Sequence, residues 1–278
     1  MQILHSTSFK SMALEISASL GIPIAEIKIH KFPSGEYICK LDKVLTANVI
    51  VVGSIKTNDD LMEILSIIDA AKRAGAMNIT LVAPYIAYGR QDVIQAPFSS
   101  VGIEIIAKIL NSAGITDLII VDIHSVDSLK FFSMNVRHIT AIEILDHYKD
   151  ILLVDTTIIA PDKGSLKRLE KLGLDTIFLD KKRVGGKVLM ELQGNVEGKS
   201  CLIIDDIFDS GSTMMAAVDI LKANGAQDIK GYVTHFLGNS ALLPLYITNS
   251  IYSIISAKNF LKTLSLAPLI CKILLLKQ

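Results

Sequence analysis

The chain has 278 residues, half of them hydrophobic, with Lys+Arg 28 balancing Asp+Glu 28. That length and apolar content can bury one large or two medium cores, and zero net charge offers no bulk attraction to nucleic acid or an anionic membrane. The three cysteines, Cys39, Cys201 and Cys271, are far apart among apolar neighbours, which argues against a disulfide framework or a zinc site. The opening Met1-Gln2-Ile3-Leu4-His5-Ser6 lacks the basic and apolar regions of a signal peptide, so a cytoplasmic protein is expected.

Apolar strand runs alternate with helical stripes, the pattern of a parallel-rich α/β fold. In chain order the stripes and runs predict a helix near Ser8–Leu20 and strands at Ile27–His30 and Val49–Val52. A helix near Asp60–Arg73, a strand at Ile79–Ala83, a helix near Ser100–Asn111 and a strand at Leu118–Ile123 follow. Strands at Thr157–Ala160, Thr176–Leu179, Cys201–Ile204 and Ile229–Thr234 are expected in the second half, with helices near Ser165–Lys171 and Thr213–Ala223. The apolar tail Leu264–Leu276 is broken by Ser265, Pro268 and Lys272; it is too short to span a bilayer and reads as a core helix. Neither a Walker A sequence nor G-x-G-x-x-G occurs, which disfavours a P-loop kinase or a dinucleotide-binding domain.

The two halves echo one another. Val49–Val52, a loop, a helix, Gly75-Ala76 and a new strand parallel Cys201–Ile204, a loop, a helix, Gly225-Ala226 and a new strand. Two related α/β domains are expected, residues 1–145 and 146–278, divided between Phe131-Phe132 and the Thr157 strand.

Five stretches carry chemistry. The run Cys201–Ile204 leads into adjacent carboxylates, Asp205 and Asp206, then the small-residue loop Asp209-Ser210-Gly211-Ser212-Thr213 and a helix. Small side chains at a helix N-terminus leave backbone N–H groups for a phosphate, while the preceding acids suit ribose hydroxyls or a divalent cation. A sugar phosphate satisfies both. Pro84–Asp92 follows the strand ending at Ala83, at the carboxyl end where open parallel sheets bind ligands. Arg90 offers a planar fork there and Gln91 a bifunctional amide. Asp122 and His124, at i and i+2 of the expected strand, would share a face, where the imidazole can ligate a divalent ion or be held by the carboxylate. Asp162 stands after a strand and before a helix, as an N-cap or a ligand. Lys181-Lys182-Arg183 before Gly185-Gly186 reads as a solvated basic loop, or one that closes over phosphates.

These stretches resemble the ribose-phosphate pyrophosphokinase (PRPP synthetase) family over nearly the full length. Asp205–Thr213 is similar to its ribose-5-phosphate loop, and Pro84–Asp92 to its Pro-Tyr-x-x-Tyr-Ala/Gly-Arg-Gln-Asp segment. Phe32-Pro33-Ser34-Gly35-Glu36 resembles Phe-x-Asp-Gly-Glu, Asp122-Ile123-His124 the family's Asp-Leu-His, and Asp180-Lys181-Lys182-Arg183 its Asp-Lys-Arg/Lys-Arg. Thr234-His235 and Thr248-Asn249 match more loosely.

The resemblance implies two phosphoribosyltransferase-like domains, each with a mostly parallel central sheet. It implies ATP and ribose 5-phosphate as substrates, PRPP and AMP as products, Mg²⁺, and dimers assembling to hexamers. Phe32, Ser34, Glu36, Arg90, Gln91 and Asp92 would bind ATP, the first three across a subunit interface. His124 and Asp162 would serve Mg²⁺. Asp205, Asp206, Asp209, Ser210, Gly211, Ser212 and Thr213 would hold ribose 5-phosphate, and Lys181 and Arg183 would stabilise the transferring β-phosphoryl.

The chain also departs from the pattern. Ser34 replaces an Asp or Asn, and Val93 to Phe98 replace a run with several Lys or Arg. Charge-assisted hydrogen bonds lost there, at roughly 1.5–3 kcal/mol each, imply an ATP requirement about 10- to 1000-fold higher. Ser165 and Ser212 each replace a second Gly. A positive φ at Ser212 would cost about 1–2 kcal/mol. These departures keep open a non-catalytic homologue that binds sugar phosphate or nucleotide and regulates a partner. More remote is a phosphoribosyltransferase, against which the duplicated architecture argues.

Overall fold

The structure, a computed structural model, describes the chain except residues 149–151, 154, 172–174, 185–186, 239–242, 252–260 and 277–278. Two compact units emerge, one of Met1–Thr140 with Ser250–Tyr252 and Ser265–Gln278, the other of Ala141–Asn249 with Ser253–Leu264.

The first unit is built on an all-parallel sheet, β1 (Gln2–His5), β4 (Asn48–Val52), β5 (Asn78–Val82), β6 (Asp117–Val121) and β7 (Asn135–Ile139), in that spatial order. Its inner strands are buried nearly throughout, which is why they read as unbroken apolar runs rather than alternating ones. Helix α1 spans Lys10–Leu20, α2 Asn58–Arg73 and α3 Gly102–Ala113; β2 (Ile27–Lys31) and β3 (Tyr37–Leu41) form a separate antiparallel hairpin. A capping box opens α2: the Thr57 hydroxyl accepts from the Asp60 N–H at 3.2 Å, and the Asp60 carboxylate from the Thr57 N–H at 2.7 Å.

The second unit has seven strands in the order β10-β9-β8-β11-β12-β13-β14, all neighbours parallel except β9 and β10. They are β8 (Thr156–Ala160), β9 (Thr176–Val184), β10 (Lys187–Gln193), β11 (Ser200–Phe208), β12 (Asp228–Phe236), β13 (Leu245–Thr248) and β14 (Leu261–Leu264). Helix α4 (Lys163–Lys171) follows β8 and α5 (Ser212–Ala223) follows β11. Met214, Val218 and Leu221 are buried along one face of α5, as their spacing predicts.

The echo between the halves reaches atomic detail. After α2, the Gly75 N–H donates to Lys72 O at 3.1 Å and the Ala76 N–H to Ala71 O at 3.0 Å. After α5, Gly225 donates to Lys222 O at 3.1 Å and Ala226 to Leu221 O at 3.0 Å. Both glycines take positive φ, 100° and 81°, closing the same kind of left-handed helix stop.

Several expectations change. The last helix, α6 (Ala267–Leu275), buries Leu269, Ile270, Cys271 and Leu274 against the first unit, packing on α1, rather than in the second domain where its position in the chain puts it. The Arg137 guanidinium also donates to Ile273 O at 2.8 Å. Strand β6 stops at Val121 because Asp122 turns to φ 38°. Residues Asp180–Val184 belong to a strand rather than a loop, since pairing with β10 absorbs their backbone groups.

Strand β11 runs through the second core. Ile203 is fully buried there, so Ile203→Ala is expected to lower the unfolding free energy by about 2–5 kcal/mol in urea titrations followed by circular dichroism.

Candidate functional site

The carboxyl end of β11 outruns its neighbour. Pairing with β8 ends at Ile203 opposite Ile159, whereas pairing with β12 continues to Phe208 opposite Phe236. Asp205 and Asp206 therefore lie within a strand, not beyond it, and past the end of β8. The start of α4 is adjacent to them. The Asp162 carboxylate accepts from the Ser165 N–H at 2.9 Å and so caps α4, while the Ser165 hydroxyl is 3.1 Å from Asp205 Oδ1. Arg168, one turn on, places Nη1 3.1 Å from Asp206 Oδ2 and Nη2 3.1 Å from Ser165 Oγ.

Burial, and then the adjacent Asp206 charge, push the Asp205 carboxyl up to about 7. Between the ordinary carboxylate range and that value, the folded protein keeps a proton that the unfolded chain has released, so stability falls as pH rises through this window. A rise from 3.8 to about 7 corresponds to at most about 4 kcal/mol. Urea unfolding of the ligand-free protein across about pH 4–8 should show that decline, and Asp205→Asn should flatten it.

Beyond Phe208, Asp209 and Ser210 are exposed at the surface, and Gly211 adopts φ 77° as the residue before α5. A Cβ at Gly211 would lie 2.5 Å from the Phe208 ring, itself stacked on Phe236 at 5.0 Å. Ser212 begins the helix without positive φ, and its hydroxyl is 3.1 Å from that of Ser210. The strain expected at Ser212 is absent because Gly211 alone supplies the left-handed step. Thr213 follows in the first turn of α5, and the chain from Ser210 to Thr213 brings small side chains to a helix N-terminus, the geometry that exposes backbone N–H groups to an anion. Lys181 and Arg183 lie on β9 opposite Met190 and Val188 of β10; their side chains fall outside the described residues.

In the first unit, neighbours of the predicted residues in two segments reach the start of α2. The Tyr88 hydroxyl donates to Asn58 Oδ1 at 2.8 Å, and Lys31, at the end of β2, forms an ion pair with Asp59. The hairpin tip bearing Phe32, Ser34 and Glu36 and the loop bearing Arg90, Gln91 and Asp92 are thus both anchored to one helical turn. Within the tip, the Ser34 hydroxyl donates to Glu36 Oε2 at 2.9 Å. Gln91 O accepts from the Ile103 N–H at 3.3 Å at the start of α3. Its side chain covers Gly102 so closely that a Cβ there would meet Gln91 Oε1 at 2.8 Å.

Tyr88 at φ 66° and Asp122 at φ 38° hold uncommon left-handed backbones at the carboxyl ends of β5 and β6. His124 is exposed and Asp122 buried, so the two do not share a strand face as expected; the turn at Asp122 separates them. His124 instead neighbours the Arg90 loop, since a Cβ on Gly89 would stand 3.8 Å from His124 Cβ. Val93, Ile94 and Phe98 are exposed in the departing loop, whose backbone is tied by the Ser99 hydroxyl accepting from the Gln95 and Ala96 N–H groups.

The chain and its fold have clear counterparts among known proteins. A family model described as the N-terminal domain of ribose phosphate pyrophosphokinase matches residues 1–114, and a phosphoribosyl transferase domain model matches 122–268. The ribose-phosphate pyrophosphokinase of Aquifex aeolicus is 32% identical over 290 residues, covering 97% of this chain and 93% of that protein. The chain belongs to the ribose-phosphate pyrophosphokinase family. Another relative of that name, from Wolinella succinogenes, is 33% identical over 94% of this chain and 90% of its own length. The crystal structure of phosphoribosylpyrophosphate synthetase from Mycobacterium smegmatis superposes with a TM-score of 0.84 at 27% identity, covering 98% of this chain and 96% of the other. The pyrophosphokinase fold of two phosphoribosyltransferase-like domains accounts for both sheets.

Two site neighbours escape a motif reading, Ser165 as a contact and Arg168 altogether. The only signal for Arg168 is its i,i+3 spacing from Ser165 at a helix start, which puts both on one face. Ser212→Gly, which restores the family residue, should lower stability by a few tenths to about 1 kcal/mol rather than raise it, because no positive φ is relieved. Thermal unfolding of the two proteins side by side gives the sign.

Proposed function

We propose that this protein is a ribose-phosphate diphosphokinase that makes PRPP and AMP from ATP and ribose 5-phosphate. The observation that carries the reading is the adjacent pair Asp205–Asp206, the first partly buried and the second buried, running directly into a small-residue loop at the start of α5, in a chain of this family. Asp205, Asp206 and Asp209 accept from the ribose hydroxyls; Ser210, Gly211, Ser212 and Thr213 hold the 5-phosphate with backbone N–H groups and hydroxyls. Phe32, Ser34, Glu36, Arg90, Gln91 and Asp92 bind ATP.

In the reaction the ribose 1-hydroxyl oxygen bonds to the β-phosphorus of ATP and loses its proton, while the bond from that phosphorus to the α–β bridging oxygen breaks. AMP leaves with that oxygen. No covalent enzyme intermediate is required, because positioning and charge neutralisation suffice for phosphoryl-type transfer. Lys181 and Arg183 balance the charge that develops on the transferring group.

Carboxylate and imidazole donors suit a divalent ion, and Mg²⁺ commonly takes only one or two protein carboxylates beside phosphates and water. No cluster of three or more candidate ligands occurs among the described residues. Asp162 in the second unit and His124 in the first are each proposed to serve Mg²⁺, which would neutralise phosphate charge. Dimers assembling to hexamers and a cytoplasmic location complete the proposal; no described helix is long and apolar enough to cross a membrane.

One observation favours a second reading. The loop from Val93 to Phe98 offers exposed apolar side chains where the family resemblance implies cations, as a binding-only homologue would tolerate. Incubating the purified protein with ATP, Mg²⁺ and ribose 5-phosphate and measuring AMP separates the two. Stoichiometric PRPP and AMP are expected. Ribose 5-phosphate binding without AMP formation would overturn the enzyme reading. Lys181→Ala is expected to cut AMP formation about 100- to 1000-fold while leaving ribose 5-phosphate affinity within about threefold.

A further inference from the structure

The carboxylates of Asp205, partly buried, and Asp206, buried, are both fixed by hydrogen bonds. Asp205 Oδ1 accepts from the Ser165 hydroxyl at 3.1 Å and from the Asp206 N–H at 2.9 Å. Asp206 Oδ1 accepts from the Ile207 N–H at 2.9 Å, and its Oδ2 lies 3.1 Å from Arg168 Nη1. Arg168 Nη2 donates to Ser165 Oγ at 3.1 Å and stands 3.8 Å from Asp205 Oδ1. The result is a closed ring of four side chains, in which one guanidinium reaches one acid directly and the other through a hydroxyl. Ser165 is 2% exposed and its N–H is already committed to Asp162, so its hydroxyl has little freedom to turn elsewhere.

A vicinal diol needs acceptors aimed in fixed directions, and a carboxylate on a freely turning χ2 would lose that aim. A planar fork with fixed donor directions can hold two acceptors at once, which a lysine cannot.

From this ring we propose that Arg168, seated by Ser165, is a positioning residue that aims the Asp205 and Asp206 carboxylates at the ribose hydroxyls. The proposal rests on the diphosphokinase reading above. Ser165 takes the place of a glycine in the family pattern, so in this chain the hydroxyl adds a link that a glycine lacks. Arg168 touches neither substrate in this scheme and acts through the acids.

The test is steady-state kinetics of PRPP formation on the full chain, with ATP and ribose 5-phosphate varied separately. Measurable turnover by the unmodified protein secures the underlying reading; its absence would overturn that reading and this proposal together. Given turnover, Arg168→Gln is expected to raise KM for ribose 5-phosphate about 10- to 100-fold with KM for ATP within about twofold. Arg168→Lys, which keeps the charge without the fork, should recover only part of that loss. Ser165→Ala should raise the same KM about threefold, and by less on the Arg168→Gln background, since the hydroxyl works through the guanidinium. Equal changes in both KM values, an unchanged KM for ribose 5-phosphate, or full recovery in Arg168→Lys would each overturn the positioning role. Should Arg168→Gln fail to fold, Arg168→Lys and Ser165→Ala decide by the same KM comparison.

Discussion

Two carboxylates on successive residues of a buried strand repel each other and lose their hydration, and the end of β11 is arranged around that cost. Burying an ion pair or triad stabilises only when the remaining donors and acceptors are satisfied. Here a guanidinium, a hydroxyl and two backbone N–H groups supply the partners. The strand register makes this possible. Because β11 runs on past β8, the first turn of α4 can come alongside the acids, and the same turn is capped by Asp162. The small-residue loop, the proposed phosphate cradle, follows directly after the acids. The sugar, with neutral hydroxyls at one end and an anion at the other, suits that polarity.

The duplication explains how one topology serves two kinds of surface. Both units use a parallel strand, a loop, a helix and the same glycine-stopped helix end. In the second unit the loop after the strand is small and acidic. In the first, the corresponding loop opens α2 through a Thr57–Asp60 capping box, so the helix N-terminus is closed by its own side chains. Its chemistry-bearing residues arrive instead from the hairpin tip and from the loop after β5, tethered to that turn by Lys31 and Tyr88.

Much of this was legible in the amino-acid sequence because buried parallel strands and amphipathic helices leave strong periodic signals. β4, β5, β11 and the buried face of α5 fall where apolar spacing puts them. Strands β1, β3, β7, β10, β13 and β14 went unread; most are short, and β1 and β7 pair with strands distant in sequence, which a local window does not register. The contiguous motif of the β11 loop could be read residue by residue. Arg168 could not, since its partners lie almost forty positions away and meet it only through the strand overhang. The assumption that Asp122 and His124 share a face failed for a similarly local reason, a single left-handed residue that periodicity cannot foresee. Conversely, the penalty foreseen at Ser212 vanished once Gly211 was found to carry the positive φ.

Helix α6 gives the chain an order of completion. The first unit takes its earliest helix, α1, from residues 10–20 and the helix packed on it from residues 267–275. During synthesis, the part of α1 that α6 packs against therefore waits uncovered while the whole second unit is made. A premature stop shortly before Ala267 would spare the whole Asp205–Thr213 loop yet remove the helix that packs on α1 in the first unit.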